Sequence, residues 1–356
     1  MRKYHSLTVA ALQNETKDSV RISLTVPEEA RSEFDFVPGQ HLPIQIAIDG
    51  KPVRRTYSIC SVPGKLPLEI GVRIQPGGQF SDFVANSLAV GDELEVMPPF
   101  GQFHADINAD NEKTYLAFAA GSGITPVLSI ISAILEEEPR SKVVLFYGNR
   151  RQRTTMFIDD LYALKNRFPE RLQLYFLFSQ EEQEFDIFSG RLDEEKVSKL
   201  FRTFCGGLTP DEAFICGPDT MIASVRTALV NNGMEESAVH VERYGAPRKK
   251  EASKPSAGTA PGEQSIINVI MDGHKKSFEM RPDSGNIVDA AAEQGIELPY
   301  SCKGGVCATC RTHVRDGEVR MATNYGLEPW EVEKGFVLAC QSVPMTDTVT
   351  IDYDKT

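Results

Sequence analysis

A chain of 356 residues is long enough for two or three domains that each bury a core. Its 41% hydrophobic and 25% charged residues are the usage of ordinary folded proteins, which excludes a disordered or fibrous chain. Lys and Arg number 38 against 50 Asp and Glu, and the net charge of −12 has the wrong sign for holding nucleic acid or anionic lipid electrostatically.

The first ten residues, MRKYHSLTVA, lack the apolar run of an export signal, so the expected location is the cytoplasm. From Ser6 to about Phe103 short alternating runs (Ser19 to Val26, Leu42 to Ile48, Arg55 to Cys60, Leu68 to Ile74, Glu93 to Met97) are punctuated by turn pairs such as Pro38-Gly39 and Gly91-Asp92. That spacing predicts an antiparallel barrel or sandwich. Arg55-Thr56-Tyr57-Ser58 falls on one strand, with Arg55 and Tyr57 on one face and Thr56 and Ser58 on the other. An arginine fork suits phosphate, an aromatic ring packs on a flat heterocycle, and a serine hydroxyl can bond a ring nitrogen; decoration of a surface strand is the bland alternative. Gly77-Gly78-Gln79-Phe80-Ser81 then offers an open backbone and a helix start, a cradle for pyrophosphate.

From Lys113 to about Tyr244 buried strands alternate with amphipathic helices, which predicts a parallel sheet covered on both faces. Strands are expected at Thr114 to Ala119, Lys142 to Gly148, Leu172 to Ser179, Glu212 to Cys216 and Ala238 to Glu242, and helices near 126–137, 155–167, 193–201 and 219–231. Thr114 to Leu135 contains no charge, but Gly121, Gly123 and Pro126 interrupt it. It therefore reads as a strand and a helix starting near Pro126 with Thr125 as N-cap, and no membrane span is expected. The Gly121-to-Pro126 loop sits where backbone N–H groups and a helix dipole favour a diphosphate, although Pro126 breaks the usual G-x-G-x-x-G spacing and a tight connection alone would look the same. Cys216-Gly217-Pro218 ends a later strand at the same carboxyl edge, with a small buried apolar cysteine as the bland alternative. Arg150, Arg151 and Arg153 follow the second strand, where a ribose is read; they favour the 2′-phosphate of NADPH, with NADH and a solvated basic loop as alternatives.

Residues Ala246 to Glu263, APRKKEASKPSAGTAPGE, have the composition of a linker, whose typical span would be roughly 23 Å. A hairpin (Ile266 to Met271, Lys276 to Met280) and a helix near Ile287 to Gln294 follow. Cys302, Cys307 and Cys310, with Cys340 thirty positions on, have the ligand spacing of a plant-type 2Fe-2S ferredoxin, three thiolates from a loop and the fourth from a strand. Gly304 and Gly305 allow backbone N–H groups close to the sulfurs. Structural zinc is the alternative, disfavoured because only half the set has knuckle spacing.

The flavin-type motif, the glycine loops and the C-terminal cysteine set, in that order, resemble the ferredoxin-NADP reductase superfamily fused to a plant-type ferredoxin. More closely, the runs YSICSV, AAGSGITP, AFICGP, YSCKGGVCATC and NYGLEPWEVEKGFVLACQSVP resemble the reductase subunits of multicomponent monooxygenases that epoxidise an aryl-CoA ring. The resemblance implies an FAD-binding barrel (1–106), an NAD(P)H-binding α/β domain (107–245), the linker (246–263) and a β-grasp ferredoxin domain (264–356). It implies that Arg55 contacts the FAD pyrophosphate, Tyr57 packs beside the flavin and Ser58 bonds near its reactive nitrogen, with Gly78, Phe80 and Ser81 in the pyrophosphate loop. Gly121, Gly123, Thr125, Pro126, Cys216, Gly217 and Pro218 match the nicotinamide site, and Glu242-Arg243-Tyr244 an element near the flavin, with Tyr where Phe is usual. The expected catalytic set is Ser58, Cys216, Glu242 and Tyr244. Electrons would pass from NADPH through FAD and the cluster to a di-iron oxygenase; another oxygenase or a hybrid-cluster protein is the alternative partner. A redox-sensing regulator would need a DNA- or effector-binding module, and none is readable.

Overall fold

The computed structural model of the protein describes residues 3–244, 264–281, 285–327 and 329–355. They form two compact units, one of Tyr4–Tyr244 and one holding the described residues from Gln264 onward. The linker read at Ala246 to Glu263 lies outside the described residues.

The larger unit begins with β1 (His5–Thr16), β2 (Ser19–Thr25), β3 (His41–Ile48), β4 (Lys51–Ser58), β5 (Leu68–Arg73), helix α1 (Gln79–Asn86) and β6 (Glu93–Val96). The strands pair antiparallel in the order β4-β3-β6-β1-β2-β5, and an Ile59–Ile70 bridge just beyond β4 closes the sheet into a barrel. Alternation points Leu7, Val9, Ile22, Leu24, Leu42, Ile44, Ile70, Val72 and Val96 inward, all fully buried. Each contributes on the order of 1.5–3 kcal/mol by leaving water. Helix α1 caps the barrel with Phe80 and Val84. The expected strand at Arg55 to Cys60 starts earlier, at Lys51, because Asp49 and Gly50 form a tight turn with φ of 51° and 72°.

The second half holds β7 (Thr114–Ala120), α2 (Ile124–Glu137), β8 (Lys142–Asn149), α3 (Ile158–Arg167), β9 (Leu172–Phe178), α4 (Glu194–Phe204), β10 (Glu212–Cys216), α5 (Asp219–Asn231) and β11 (Val239–Glu242). All five strands are parallel in the order β11-β10-β7-β8-β9. Helices α2 and α3 cover one face and α4 and α5 the other, so β7, β8 and β10 are buried on both sides and read as continuous apolar runs. All four strand-to-helix turns lie at the carboxyl edge, where such sheets bind ligands. Thr125 is not the N-cap of α2: a 3-10 turn over Gly121–Gly123 runs straight into the helix, whose cap is Gly123, two residues earlier than expected. Pro126 is tolerated in that first turn because its missing N–H has no intrahelical acceptor there.

The smaller unit comprises β12 (Ser265–Met271), β13 (His274–Met280), α6 (Ile287–Glu293), β14 (Arg311–Asp316), β15 (Val319–Met321), α7 (Pro329–Glu333), β16 (Phe336–Leu338), β17 (Ser342–Pro344) and β18 (Thr348–Asp352). Its main sheet runs β13-β12-β18-β14-β16, with β12 and β18 parallel and the remaining pairs antiparallel, a β-grasp arrangement. Ile267, Val269, Ile287, Ala291, Val349 and Ile351 form its buried interior.

Candidate functional site

Strand β4 carries the first set of expected residues. The Arg55 guanidinium is exposed, donates to the Arg54 carbonyl at 2.7 Å and reaches Gln79 Oε1 at 3.5 Å. The Tyr57 ring packs on Phe80 with centroids 5.0 Å apart. Both side chains thus lie against the start of α1, as one strand face requires. Ser81 holds the adjoining loop: its Oγ accepts from the Gln75 N–H at 3.1 Å and is 3.0 Å from the Gln75 and Gly78 carbonyls. A Cβ on Gly78 would stand 2.5 Å from that Oγ, so only glycine fits. An exposed arginine beside the N–H groups of a helix start is chemistry for a pyrophosphate, and the residues present fit one. Phe80, 1% exposed, is a core residue that braces Tyr57.

The second set comes from the carboxyl edge of the parallel sheet. A Cβ on Gly123 would meet the Cys216 carbonyl oxygen at 2.1 Å, and one on Gly217 would meet Met221 Cε at 2.7 Å and Ala120 Cβ at 3.2 Å. The two loops therefore press backbone to backbone. Tyr147 Oη donates to the Gly121 carbonyl at 2.8 Å and ties β8 to the same turn, where Gly121 has φ of 56°. Pro218 caps α5. Arg150 and Arg151 are exposed beyond the end of β8 and are not drawn into this contact.

Tyr244 joins the two sets. Its hydroxyl lies 3.1 Å from Ser58 Oγ, 2.6 Å from Thr125 Oγ1 and 3.3 Å from the Ser122 carbonyl. Thr125 donates its only proton to that carbonyl at 2.9 Å, so Tyr244 donates to Thr125 and accepts from Ser58. The tyrosine retains 45% exposure as a residue, but its hydroxyl end is enclosed, and burial pushes its pKa well above the phenol range. Cys216 is fully buried beside it; burial, then the nearby Glu242, hold the thiol protonated. Glu242 lies 3.8 Å from His41 Nδ1, a barrel residue that the sequence reading missed, and Arg243 donates to Asp219 at 3.1 Å. The structure thus assembles Ser58, Thr125, Cys216, Glu242 and Tyr244, drawn from β4, α2, β10, β11 and the residues just after β11, at one place between barrel and parallel sheet.

In the smaller unit the cysteines come as two pairs. Cys302 and Cys307 are hydrogen-bonded to each other, as are Cys310 and Cys340. In each pair one thiol is pulled down by its partner, Cys302 and Cys340, and the other, Cys307 and Cys310, is pushed up. Backbone N–H groups of Gly304 and Cys307 donate to Cys302 Sγ at 3.3 and 3.4 Å, and that of Cys302 donates to Cys307 Sγ at 3.4 Å. Gly305 and Lys303 take left-handed φ of 75° and 49° to shape this loop. Among the described residues no three metal-binding side chains converge on a single point. Two thiolate pairs fit two irons, two ligands each, and the donor N–H groups suit a negative cluster. Cys340 sits on a 3-10 turn, Ala339–Gln341, and not on a strand as expected, because Ala339 donates to the Cys310 carbonyl at 3.1 Å and bends the chain back to its partner.

Comparison with known proteins matches three family descriptions in chain order: an oxidoreductase FAD-binding domain at residues 6–105, an oxidoreductase NAD-binding domain at 118–227 and a 2Fe-2S iron-sulfur cluster binding domain at 269–345. The chain is 43% identical to one of the subunits of 1,2-phenylacetyl-CoA epoxidase from Escherichia coli K12, covering 99% of both chains. It is 33% identical to the ferredoxin reductase component of 3-ketosteroid-9-alpha-monooxygenase from Rhodococcus rhodochrous, covering 98% of this chain and 96% of that one. Among solved structures it resembles phthalate dioxygenase reductase, with a TM-score of 0.58 over 98% of both chains at 22% identity. It also resembles part of a self-sufficient cytochrome P450 monooxygenase, with a TM-score of 0.70 and 20% identity; there the chain spans 41% of the other's length.

Proposed function

Since the chain belongs to the family of FAD-, NAD- and 2Fe-2S-containing reductase components of multicomponent oxygenases, we propose that it draws electrons from NADPH and delivers them to the di-iron oxygenase of a phenylacetyl-CoA epoxidase. One observation carries the reading. A single chain brings Ser58 of the barrel and Thr125 of α2 to one tyrosine hydroxyl and also holds two cysteine pairs. Full-length likeness to a component of that epoxidase supports the choice of oxygenase, and Arg150 and Arg151 support NADPH over NADH. A nicotinamide reductant and a clustered cysteine set spaced for iron support work in the cytoplasm. Among the described residues no helix is long and apolar enough to cross a membrane.

Bound flavin supplies the exchange between a two-electron hydride and single electrons, and the cluster takes them singly. The chain's own residues make that exchange possible by position. Arg55 and the start of α1 would hold the pyrophosphate, Tyr57 braced by Phe80 would pack beside the ring, and the Ser58 oxygen would stand ready to accept a hydrogen bond there. Gly121, Gly123 and Gly217 bring backbone close enough to grip the dinucleotide. Thr125, Pro126 and Cys216 would border the nicotinamide, and the buried Cys216 thiol stays neutral there. Glu242, facing His41, and Tyr244 close the place to water.

Anaerobic titration of the full chain with NADPH and, separately, NADH tests the proposal. Flavin and cluster bands should bleach together, with two irons per chain and NADPH the faster donor. Turnover with a purified phenylacetyl-CoA di-iron oxygenase tests the partner, and no coupled epoxidation would remove it.

A further inference from the structure

Gln341 closes the 3-10 turn that carries Cys340, and its half-buried side chain lies on the loop that carries Cys302 and Cys307. Its Nε2 donates to the Lys303 carbonyl at 2.9 Å and to the Cys340 carbonyl at 2.8 Å, and is 3.5 Å from Cys340 Sγ, a third acceptor. Its Oε1 accepts from the Thr323 hydroxyl at 2.6 Å. Carbonyl oxygens only accept, so the end of the amide that faces Lys303 and Cys340 is the nitrogen, and turning it over would set oxygen against two carbonyls. The surroundings hold the stem as well. A Cβ on Gly305 would stand 3.1 Å from Gln341 Cγ and 3.1 Å from the Thr323 carbonyl oxygen, and the Ala322 N–H donates to the Gln341 carbonyl at 2.8 Å. One side chain thus joins the cysteine loop, the Cys340 turn and the Ala322–Thr323 segment, with an N–H beside a ligand sulfur. A neutral thiol is a weak acceptor, and a sulfur that carries negative charge is a stronger one, so loading with iron strengthens this contact.

We propose that Gln341 is a positioning residue for electron transfer: it fixes Cys340 against the cysteine loop and directs an N–H at the Cys340 sulfur, which raises the reduction potential of the cluster. The reduced form carries one more negative charge, so a donor at a ligand sulfur stabilises it more than the oxidised form. Main-chain N–H groups point at the sulfurs of Cys302 and Cys307, and Gln341 adds a side-chain donor on the Cys340 side. Thr323 acts through it, by holding the amide in the one orientation that serves sulfur. The inference rests on the cluster assignment, and iron and sulfide analysis separates the two.

The test is the midpoint potential of the full-length, cluster-loaded protein, read by spectroelectrochemistry with EPR of the reduced form. Gln341→Met keeps the length of the side chain and removes both N–H groups, and it should retain two irons per chain. At fixed ambient potential it should lower the ratio of reduced to oxidised cluster about tenfold, equivalent to 59 mV for a one-electron couple. A residue that merely splices the loop would, when replaced, hasten iron loss to a chelator and leave the potential of the iron-replete chain equal to wild type; that result overturns the proposal. Should the Met chain fail to hold iron, the wild type decides. Its reduced form, labelled with nitrogen-15 in the glutamine side-chain amides, should show an amide nitrogen magnetically coupled to the cluster in pulsed EPR; a coupled nitrogen sustains the proposal and its absence overturns it. Wild-type protein without two irons would overturn the cluster assignment itself, and the proposal with it.

Discussion

Arg21 on β2 donates to Glu15 at 2.7 Å, to Glu69 at 3.4 Å and to Asp160 of α3, and its guanidinium lies 4.8 Å over the Phe157 ring. Glu15, whose side chain is 7% exposed, also accepts from the Phe157 N–H at 3.2 Å, so one arginine joins barrel to nucleotide layer. Arg21→Met should cost about 3–5 kcal/mol, because it leaves a buried carboxylate without its cation, and a urea midpoint equal to wild type would refute this. Glu212 makes a second prediction. Its hydrogen bond with His240 at 3.0 Å, and then that from Lys113 at 2.7 Å, hold its carboxyl at about 2, below the usual 4.5. A lowered carboxyl stabilises the fold fully above its unfolded value and loses that contribution as pH falls toward its folded value. Glu212→Gln should therefore be less stable than wild type by about 2–3 kcal/mol at pH 7, with the gap closing between pH 4.5 and 2. Urea midpoints at pH 7 and pH 3 check it; an equal gap at both would exclude the assignment.

At the scale of elements, close backbone packing sets the geometry of the larger unit. A Cβ on Gly71 of β5 would meet Thr125 Cγ2 at 2.7 Å and Phe157 Cζ at 2.8 Å, so the barrel accepts the start of α2 only because that residue has no side chain. Gly123→Ala should push its turn away from Cys216 and slow flavin reduction by the nicotinamide donor about a hundredfold, with iron content unchanged. Stopped-flow single turnover at the wild-type rate would contradict it. The same packing shows what the sequence could reveal. Buried strands such as β10 and helices such as α5 were legible to the residue, because an unbroken apolar run or a 3.6-residue period reports its own burial. Strand β1 was not, since beyond Val9 it is mostly polar and half exposed. Ser58, Thr125, Cys216 and the four cluster cysteines were readable from local motifs. His41 and Gly71 were not, because their importance arises from residues more than 50 positions away. The Ser58–Tyr244 contact spans 186 positions and follows from barrel closure and strand order alone.

The whole molecule divides its chemistry between two units with separate interiors. Removing the cluster should therefore spare the first half of the reaction. Cys340→Ser should leave nicotinamide-driven reduction of ferricyanide near the wild-type rate and abolish electron delivery to the oxygenase; loss of both activities would show that the units are not independent in function.

The cysteine pairs also bear on the life of the protein before it acquires iron. Cys302 and Cys307 lie in one loop, the backbone N–H of each directed at the sulfur of the other at 3.4 Å, and thiols this near are open to oxidation to a disulfide by dissolved oxygen or another cellular oxidant. The arrangement that receives two irons can equally lock itself against them. Maturation is then a race between metal delivery and air, and apoprotein kept without reductant should become refractory to reconstitution until a dithiol reopens the bridge.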